Sequence, residues 1–225
     1  MNRYIKVCGI IALMIFSFYY TEKVALYVQN NTPLKKEIIA YKKNNVVSSV
    51  NAEIDGKYII PGINGIIVNV DKSYLKMKAY NVFSESKLIY DQVKPDISVI
   101  NHKDKIIKQA NTRKNAVSII INNDSKFSDY LDNNDISYDY INKTNYCIKI
   151  SDVDCKNVNK YTVEPTIILN SQNFLKSVNK ITKGYIIYLD ESLNLNYVYV
   201  LINYIRYSNL NIIKLNSHLS ENYQL

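Results

Sequence analysis

A chain of 225 residues, 47% apolar and 21% charged, can bury the core of one ordinary domain, or of a small domain beside an anchor and linker, and is not a disordered polymer. Three cysteines exclude a disulfide-dense scaffold, and without a Cys-x-x-Cys spacing the common redox and zinc motifs fall away. The net charge of +8 is uneven: residues 1–115 carry 18 basic and 9 acidic side chains, residues 116–225 carry 10 and 11.

A basic half beside a membrane favours anionic head groups or an anionic wall polymer. The lysines are scattered and no RNA- or DNA-binding motif accompanies them, so nothing argues for nucleic acid. A solvated lysine-rich surface is the plain alternative. The 21 tyrosines, with abundant asparagine and lysine and no tryptophan, read first as the coding bias of an AT-rich genome. A tyrosine-rich sugar-binding face is the functional alternative.

Arg3 and Lys6 precede an uncharged apolar run from Val7 to Thr21. Crossing roughly 30 Å of hydrocarbon takes about 20 helical residues. Ile5 through Leu26 supplies that length if Lys6 snorkels and Glu22 and Lys23 reach the far interface. Phe16, Phe18, Tyr19 and Tyr20 then form an aromatic belt. No small-x-small cleavage site follows, and Cys8 lacks the setting of a lipoprotein cysteine. The expectation is an uncleaved anchor over residues 1–26, its N-terminus inside and the body extracytoplasmic, attached to the cell membrane by this single pass.

Residues 27–45 read as a helical stalk, broken near Asn30-Asn31-Thr32-Pro33 and restarting at Pro33. Residues 46–100 read as a small α+β module. Val46–Glu53, Lys57–Ile60 and Gly65–Val70 are its strands, with Pro61-Gly62 and Asn64-Gly65 fixing tight connections. A helix capped by Asp71 and a turn over Ser84–Gln92 complete it. From Lys114 the character changes. Ala116–Ile121 (AVSIII) is a continuous apolar strand, expected to be buried on both faces as in a parallel sheet. Phe127, Tyr130 and Leu131 share a helical face. Ile136–Ile141, Tyr161–Leu169, Gly184–Leu189 and Leu210–Leu215 are further strands, and Phe174, Leu175 and Val178 mark a short helix. Leu195–Tyr207 is an amphipathic helix with Leu195, Val198, Leu201, Ile202 and Ile205 on its buried side. Alternating strands and helices argue for parallel βα units and an α/β class.

Two stretches carry a family resemblance. Val47–Ser98 (VSSVNAEIDGKYIIPGINGIIVNVDKSYLKMKAYNVFSESKLIYDQVKPDIS), behind the anchor, resembles the spacer of membrane-anchored envelope proteins that end in a polysaccharide-deacetylase (NodB-like) domain. Lys183–Gln224 resembles the last βαβ unit of that domain. The resemblance implies a distorted (β/α) barrel over residues 114–225. With about five strands after Lys114 the barrel is expected to be incomplete.

The resemblance also implies chemistry. The family needs an Asp-Asp pair after the first barrel strand, one a general base and one a metal ligand. A His-x-x-x-His pair completes the metal site, and a later His protonates the leaving amine. This sequence departs at each step. AVSIII runs into Asn122-Asn123-Asp124-Ser125, His102 and His218 are the sole histidines, and the strand-end His-Asp of the last unit reads Asp190-Glu191. The expectation is a deacetylase-like pseudoenzyme with no catalytic residues, no metal and no cofactor, binding or scaffolding at the cell envelope, with cell-wall polysaccharide as a partner. The alternative is an active N-deacetylase of wall glycan, with a divalent metal held at an atypical carboxylate site of Asp124, Asp190 and Glu191. It requires Asp124 and Asp190 within about 5–6 Å in a cleft, and a solvent-exposed Asp124 removes it.

Other acidic residues, Asp129, Asp132, Asp135 and Asp139, lack the Gly and terminal Glu of an EF-hand loop and read as an exposed face. Cys147 and Cys155 either pair, closing a loop worth roughly 2–3 kcal/mol, or remain reduced, buried thiols. His102 reads as exposed, and His218 has no partner in the sequence. No phosphate-binding glycine loop or Gly-x-Ser-x-Gly elbow is present.

Overall fold

The computed structural model describes residues 2–150, 155 and 160–223, and these fall into two compact units. The first holds Met1–Val47 and Ile66–Gln92, the second Ser48–Gly65 and Val93–Leu225.

The first unit opens with α1, Asn2–Asn30. Its stretch Val7–Val28 is long and apolar enough to cross a membrane, and none of it is buried within the protein. Those 22 residues span about 33 Å at roughly 1.5 Å per residue, close to the hydrocarbon thickness. Thr32 then caps α2 (Pro33–Asn44), its side chain accepting from the Lys35 N–H, with Pro33 in the first turn. Strands β3 (Gly65–Val68) and β4 (Tyr90–Val93) pair, and α3 (Val70–Met77) lies between them in sequence. The α3 cap is Asn69, which accepts from the Lys72 N–H at 2.9 Å. Asp71, expected in that role, sits two residues later, in the first turn, and instead meets Lys35 Nζ at 2.6 Å.

The expected stalk over 27–45 is corrected by this packing. Leu34 and Ile38 of α2 are buried with Val68, Met77 and Leu88. The helix places both residues on one face, and leaving that face in water would cost more than docking it. The expected module over 46–100 is likewise corrected. Its central strands β3 and β4 stay with α2, whereas β1 (Glu53–Asp55) and β2 (Tyr58–Ile60) join the second unit. There β2 pairs in parallel with β5 (Ile106–Ile107), so the ladder removes them from the module.

The second unit is organised by β6, Ala116–Ile121, every residue of which is buried. It pairs in parallel with β11 (Ile186–Leu189) on one side. On the other it takes two short partners in parallel, β12 (Asn211–Ile212) and β7 (Asp139–Tyr140). β10 (Ile167–Leu169) extends the sheet beyond β11. Val117, Ile119 and Ile121 pack on α4 (Ser128–Asn133), α5 (Phe174–Ser177) and α6 (Leu195–Tyr207) through Phe127, Leu131, Phe174, Val198, Leu201, Ile202 and Ile205. Ile120, on the opposite face, meets Ile59, Ile107, Ile148 and Val163 of a second sheet. That sheet has the order β1-β2-β5-β9-β8, where β8 is Tyr146–Ile148 and β9 is Tyr161–Val163. The result is helices, parallel sheet and second sheet in layers, two open sheets rather than one closed ring among the described residues. A last helix, α7 (Leu215–Leu219), adds Leu215 and Leu219 to the core between the sheets.

Three expected strands differ. Tyr161–Leu169 divides at Glu164-Pro165, because proline has no N–H for the ladder, and its halves enter different sheets. Ile136–Ile141 contributes only β7, and Leu215 opens α7 instead of closing a strand. Leu195, expected on the buried side of α6, is 46% exposed.

Gly62 fixes the connection after β2. A Cβ there would lie 2.2 Å from the Val50 carbonyl oxygen and 2.7 Å from the Ala52 nitrogen. Both are backbone atoms, so Gly62→Ala forces the chain apart. It is expected to cost about 1–3 kcal/mol, read as a lower denaturant midpoint at unchanged slope.

Candidate functional site

In open α/β sheets, ligands gather beyond the carboxyl ends of the strands. Here β6 ends in Asn122-Asn123-Asp124 and β11 in Asp190-Glu191. Asp124 is exposed. Asp190 is engaged in its own turn: its N–H donates to the Leu169 carbonyl at 2.9 Å, and its Oδ1 accepts from the Ser192 N–H at 2.9 Å. The Glu191 carbonyl takes Lys126 Nζ at 2.7 Å. Two buried acceptors, Asn123 Oδ1 and Glu191 Oε1, have no hydrogen-bond partner among the described residues. The Tyr188 hydroxyl donates to Asn122 Oδ1 at 2.9 Å. Burial pushes this phenol up, the Asp190 carboxylate adds to the shift, the Asn122 contact opposes it and Glu191 adds further. Tyr188 is therefore a neutral donor near pH 7.

This edge holds amide and carboxylate acceptors but no imidazole. Among the described residues, no three His, Cys, Asp or Glu side chains gather as a metal site would require. The other aspartates are dispersed. Asp132 accepts from the Tyr138 hydroxyl at 3.0 Å, Asp139 Oδ2 accepts from the Leu215 N–H at 2.6 Å, and Asp129 and Asp135 are exposed.

Both histidines do structural work. His102 is half-buried rather than exposed, its Nδ1 2.9 Å from the Ser98 carbonyl. His218, on α7, is fully buried with Nδ1 2.8 Å from Ser118 Oγ of β6. The Ser118 hydroxyl donates to the Ile213 carbonyl at 2.9 Å, so Oγ accepts from His218 Nδ1–H. Nε2 then carries only a lone pair, and it has no hydrogen-bond partner among the described residues. Burial draws the imidazole down to about 4, the nearby Lys114 ammonium adds to this, and the Ala116 backbone pulls the other way. Lys114 itself is lowered by burial and donates to the Ser217 and Ser220 carbonyls.

A concavity of about 310 Å³ lies elsewhere in the same unit. Tyr146 and Tyr161 are register partners at the starts of β8 and β9 and stand on its wall, their ring centroids 6.5 Å apart. Cys147, next to Tyr146, is bonded to Cys155. Asn64, Asn216, Asn222, Lys94 and Glu221 also line the space. The Tyr146 hydroxyl donates to Asn216 Oδ1 at 3.1 Å, and Asn64 Nδ2 to Asn222 Oδ1 at 3.2 Å. Burial, then Tyr161 and Asp139, hold the Tyr146 phenol above its ordinary value. Glu221 ties the wall together: one carboxylate oxygen accepts from the Gly62 and Val99 N–H groups, each at 3.1 Å. No sequence motif joins these residues, which come from five separate segments. Their single signal is the tyrosine and asparagine bias.

Comparisons with known proteins bear on the fold. No protein-family model matches the chain. Over 91 residues, 40% of the chain, it is 37% identical to the uncharacterized protein YlxY of Bacillus subtilis. The matched region spans 28% of that protein's length. Among solved structures, wild-type BA3943, a CE4 family pseudoenzyme from Bacillus anthracis, superposes with a TM-score of 0.55 at 14% identity, covering 84% of this chain and 96% of that one. A BA3943 mutant with restored enzymatic activity gives 0.56 at 15% identity, over 84% and 99% of the two chains. The fold is similar to that of these CE4 family pseudoenzyme structures. At these identities the likeness concerns the backbone, and the site has to be argued from its own residues.

Two outcomes test this description. His218 is held neutral in the fold but protonates when unfolded near its ordinary value of about 6.5. Its contribution to stability is complete above that value and is lost as pH falls from there toward about 4. Unfolding free energy is expected to drop by about 2 kcal/mol more in the wild type than in His218→Gln between about pH 7 and pH 5, read by denaturant titration of both. Glu221→Ala strands two buried N–H donors and should cost about 2–4 kcal/mol. Glu221→Gln keeps an acceptor oxygen and should lose clearly less in the same assay.

Proposed function

We propose that this protein is a membrane-anchored, extracytoplasmic relative of the polysaccharide deacetylases that does not hydrolyse its ligand and serves as a binding or scaffolding element at the cell envelope. The observation that carries the reading is the strand-end chemistry. Where metal-dependent deacetylation needs imidazoles beside carboxylates, β6 and β11 offer Asn122, Asn123, Asp124, Asp190 and Glu191. Neither histidine serves that edge: His218 is tied to Ser118 inside the core, and His102 to the Ser98 carbonyl. Without neutral imidazole ligands a divalent ion has too few partners to be held while also polarising an acetamide carbonyl. The apolar exposed helix α1, the basic N-terminal half and Arg3 and Lys6 ahead of the span support an anchor with the body outside. Wall polysaccharide is the partner that this compartment and the fold suggest.

The test is acetate release from chitooligosaccharide and peptidoglycan fragments by the full chain in lipid nanodiscs, with zinc, cobalt or manganese added. A folded chain, verified by circular dichroism, is expected to release none above the protein-free control. Acetate release that disappears in Asp190→Ala would overturn the proposal in favour of a working carboxylate site.

A further inference from the structure

We infer that the cavity walled by Tyr146 and Tyr161 is a binding site for a neutral saccharide ring, separate from the strand-end edge. It shares no residue with Asn122, Asn123, Asp124, Asp190 or Glu191. Its volume of about 310 Å³ lies at the lower end of small-molecule sites, roughly 300–1,000 Å³, which suits one or two sugar rings rather than a polymer chain along its length.

The wall chemistry selects the ligand. A pyranose presents one face of C–H groups and a rim of hydroxyls that both donate and accept. The two tyrosine rings, with Val99, Ile107 and Leu219, supply the apolar surface. Carboxamides, which also donate and accept, suit the rim. Two carboxamides keep a donor without an internal partner among the described residues. The Asn216 and Asn222 carboxamides each accept one hydrogen bond through Oδ1, from Tyr146 and Asn64, and their Nδ2 donors are unused. Lys103 stands over the Tyr161 ring at 5.6 Å without lining the cavity. Charge argues against an anionic ligand, because the Glu221 carboxylate faces the same space as Lys94.

The site is also preorganised. Parallel pairing of β8 with β9 places Tyr146 and Tyr161 side by side, and the Cys147–Cys155 bond pins the first of these strands. Glu221 holds α7's trailing segment against Gly62 and Val99, which fixes Asn222 beside the rings. A wall held by such ties loses little ordering entropy on binding. That the sugar comes from wall glycan rests on the function proposed above; that the cavity accepts a neutral saccharide rests on its lining.

The experiment is saturation-transfer NMR with N,N′-diacetylchitobiose and with cellobiose, using the full chain in nanodiscs that carry no sugar head groups. Binding in the range of about 1 mM is expected. It should weaken by about tenfold or more in Tyr161→Leu and in Asn216→Ala, in variants whose melting temperatures match the wild type, while Asp190→Ala binds as the wild type does. Tyr146→Phe, which keeps the ring and removes only the hydroxyl, should weaken binding less than Tyr161→Leu. Absence of transfer from both saccharides to the folded chain overturns the inference. So does binding that survives the cavity variants. If that surviving binding is lost in Asp190→Ala, the sugar sits at the strand ends, and the glycan-binding function stands without this cavity.

Discussion

Burial of β6 on both faces is the constraint on which the second unit depends. A strand with Val117, Ile119 and Ile121 on one side and Ile120 on the other cannot be half-solvated. It needs two covers. Helices α4, α5 and α6 provide one, and the sheet built from β2, β5, β9 and β8 provides the other. Each fully buried Ile or Val contributes about 1.5–3 kcal/mol relative to exposure, so the layers on either side are held by the same short strand. One polar residue interrupts it. Ser118 points into the core and is satisfied by the Ile213 carbonyl and His218.

The chain moves between the two sheets at residues that cannot continue a ladder. Pro165 ends β9, and two residues later β10 begins in the other sheet. The Thr166 hydroxyl bridges that passage, donating to the Lys108 carbonyl at 2.7 Å and accepting from the Ile186 N–H at 3.0 Å. Gly184, at φ +86°, leads the chain from the helical segment after β10 into β11, its N–H donating to the Ala116 carbonyl at 2.8 Å. Strands from before Lys114, β1, β2 and β5, complete the second of the two sheets.

The histidines show how a deacetylase-like backbone accommodates a different use of its polar residues. An imidazole that serves a metal must be reachable by the ion, its second ring nitrogen held by a carboxylate, a backbone carbonyl or water. His218 is enclosed beside Ser118 with the Lys114 ammonium nearby, a setting that suits the neutral ring. At the strand ends, carboxamides stand beside carboxylates, and Asp190 closes a turn with Ser192. Tyr146, Tyr161, Asn216 and Asn222 stand apart from that edge, on the wall of the cavity.

Local chemistry by itself determined the apolar helix ahead of the body, the restart of α2 at Pro33, the doubly buried β6 and the amphipathic α6. Each depends on periodicity or on a residue whose backbone preference is intrinsic. Absence of the deacetylase motifs was equally plain, because a missing residue type needs no contacts to be recognised. Tertiary structure alone decided that α2 docks on α3 instead of forming a stalk, that β1 and β2 leave their neighbours for the second unit, and that one expected strand splits between sheets. Those outcomes follow from pairing between residues far apart in the chain, as with Ile59 and Ile107 or Cys147 and Thr162. The same holds for the cavity: Asn64, Tyr146 and Asn222 meet only because the sheet and Glu221 bring them together, and no local propensity encodes a meeting across so many residues.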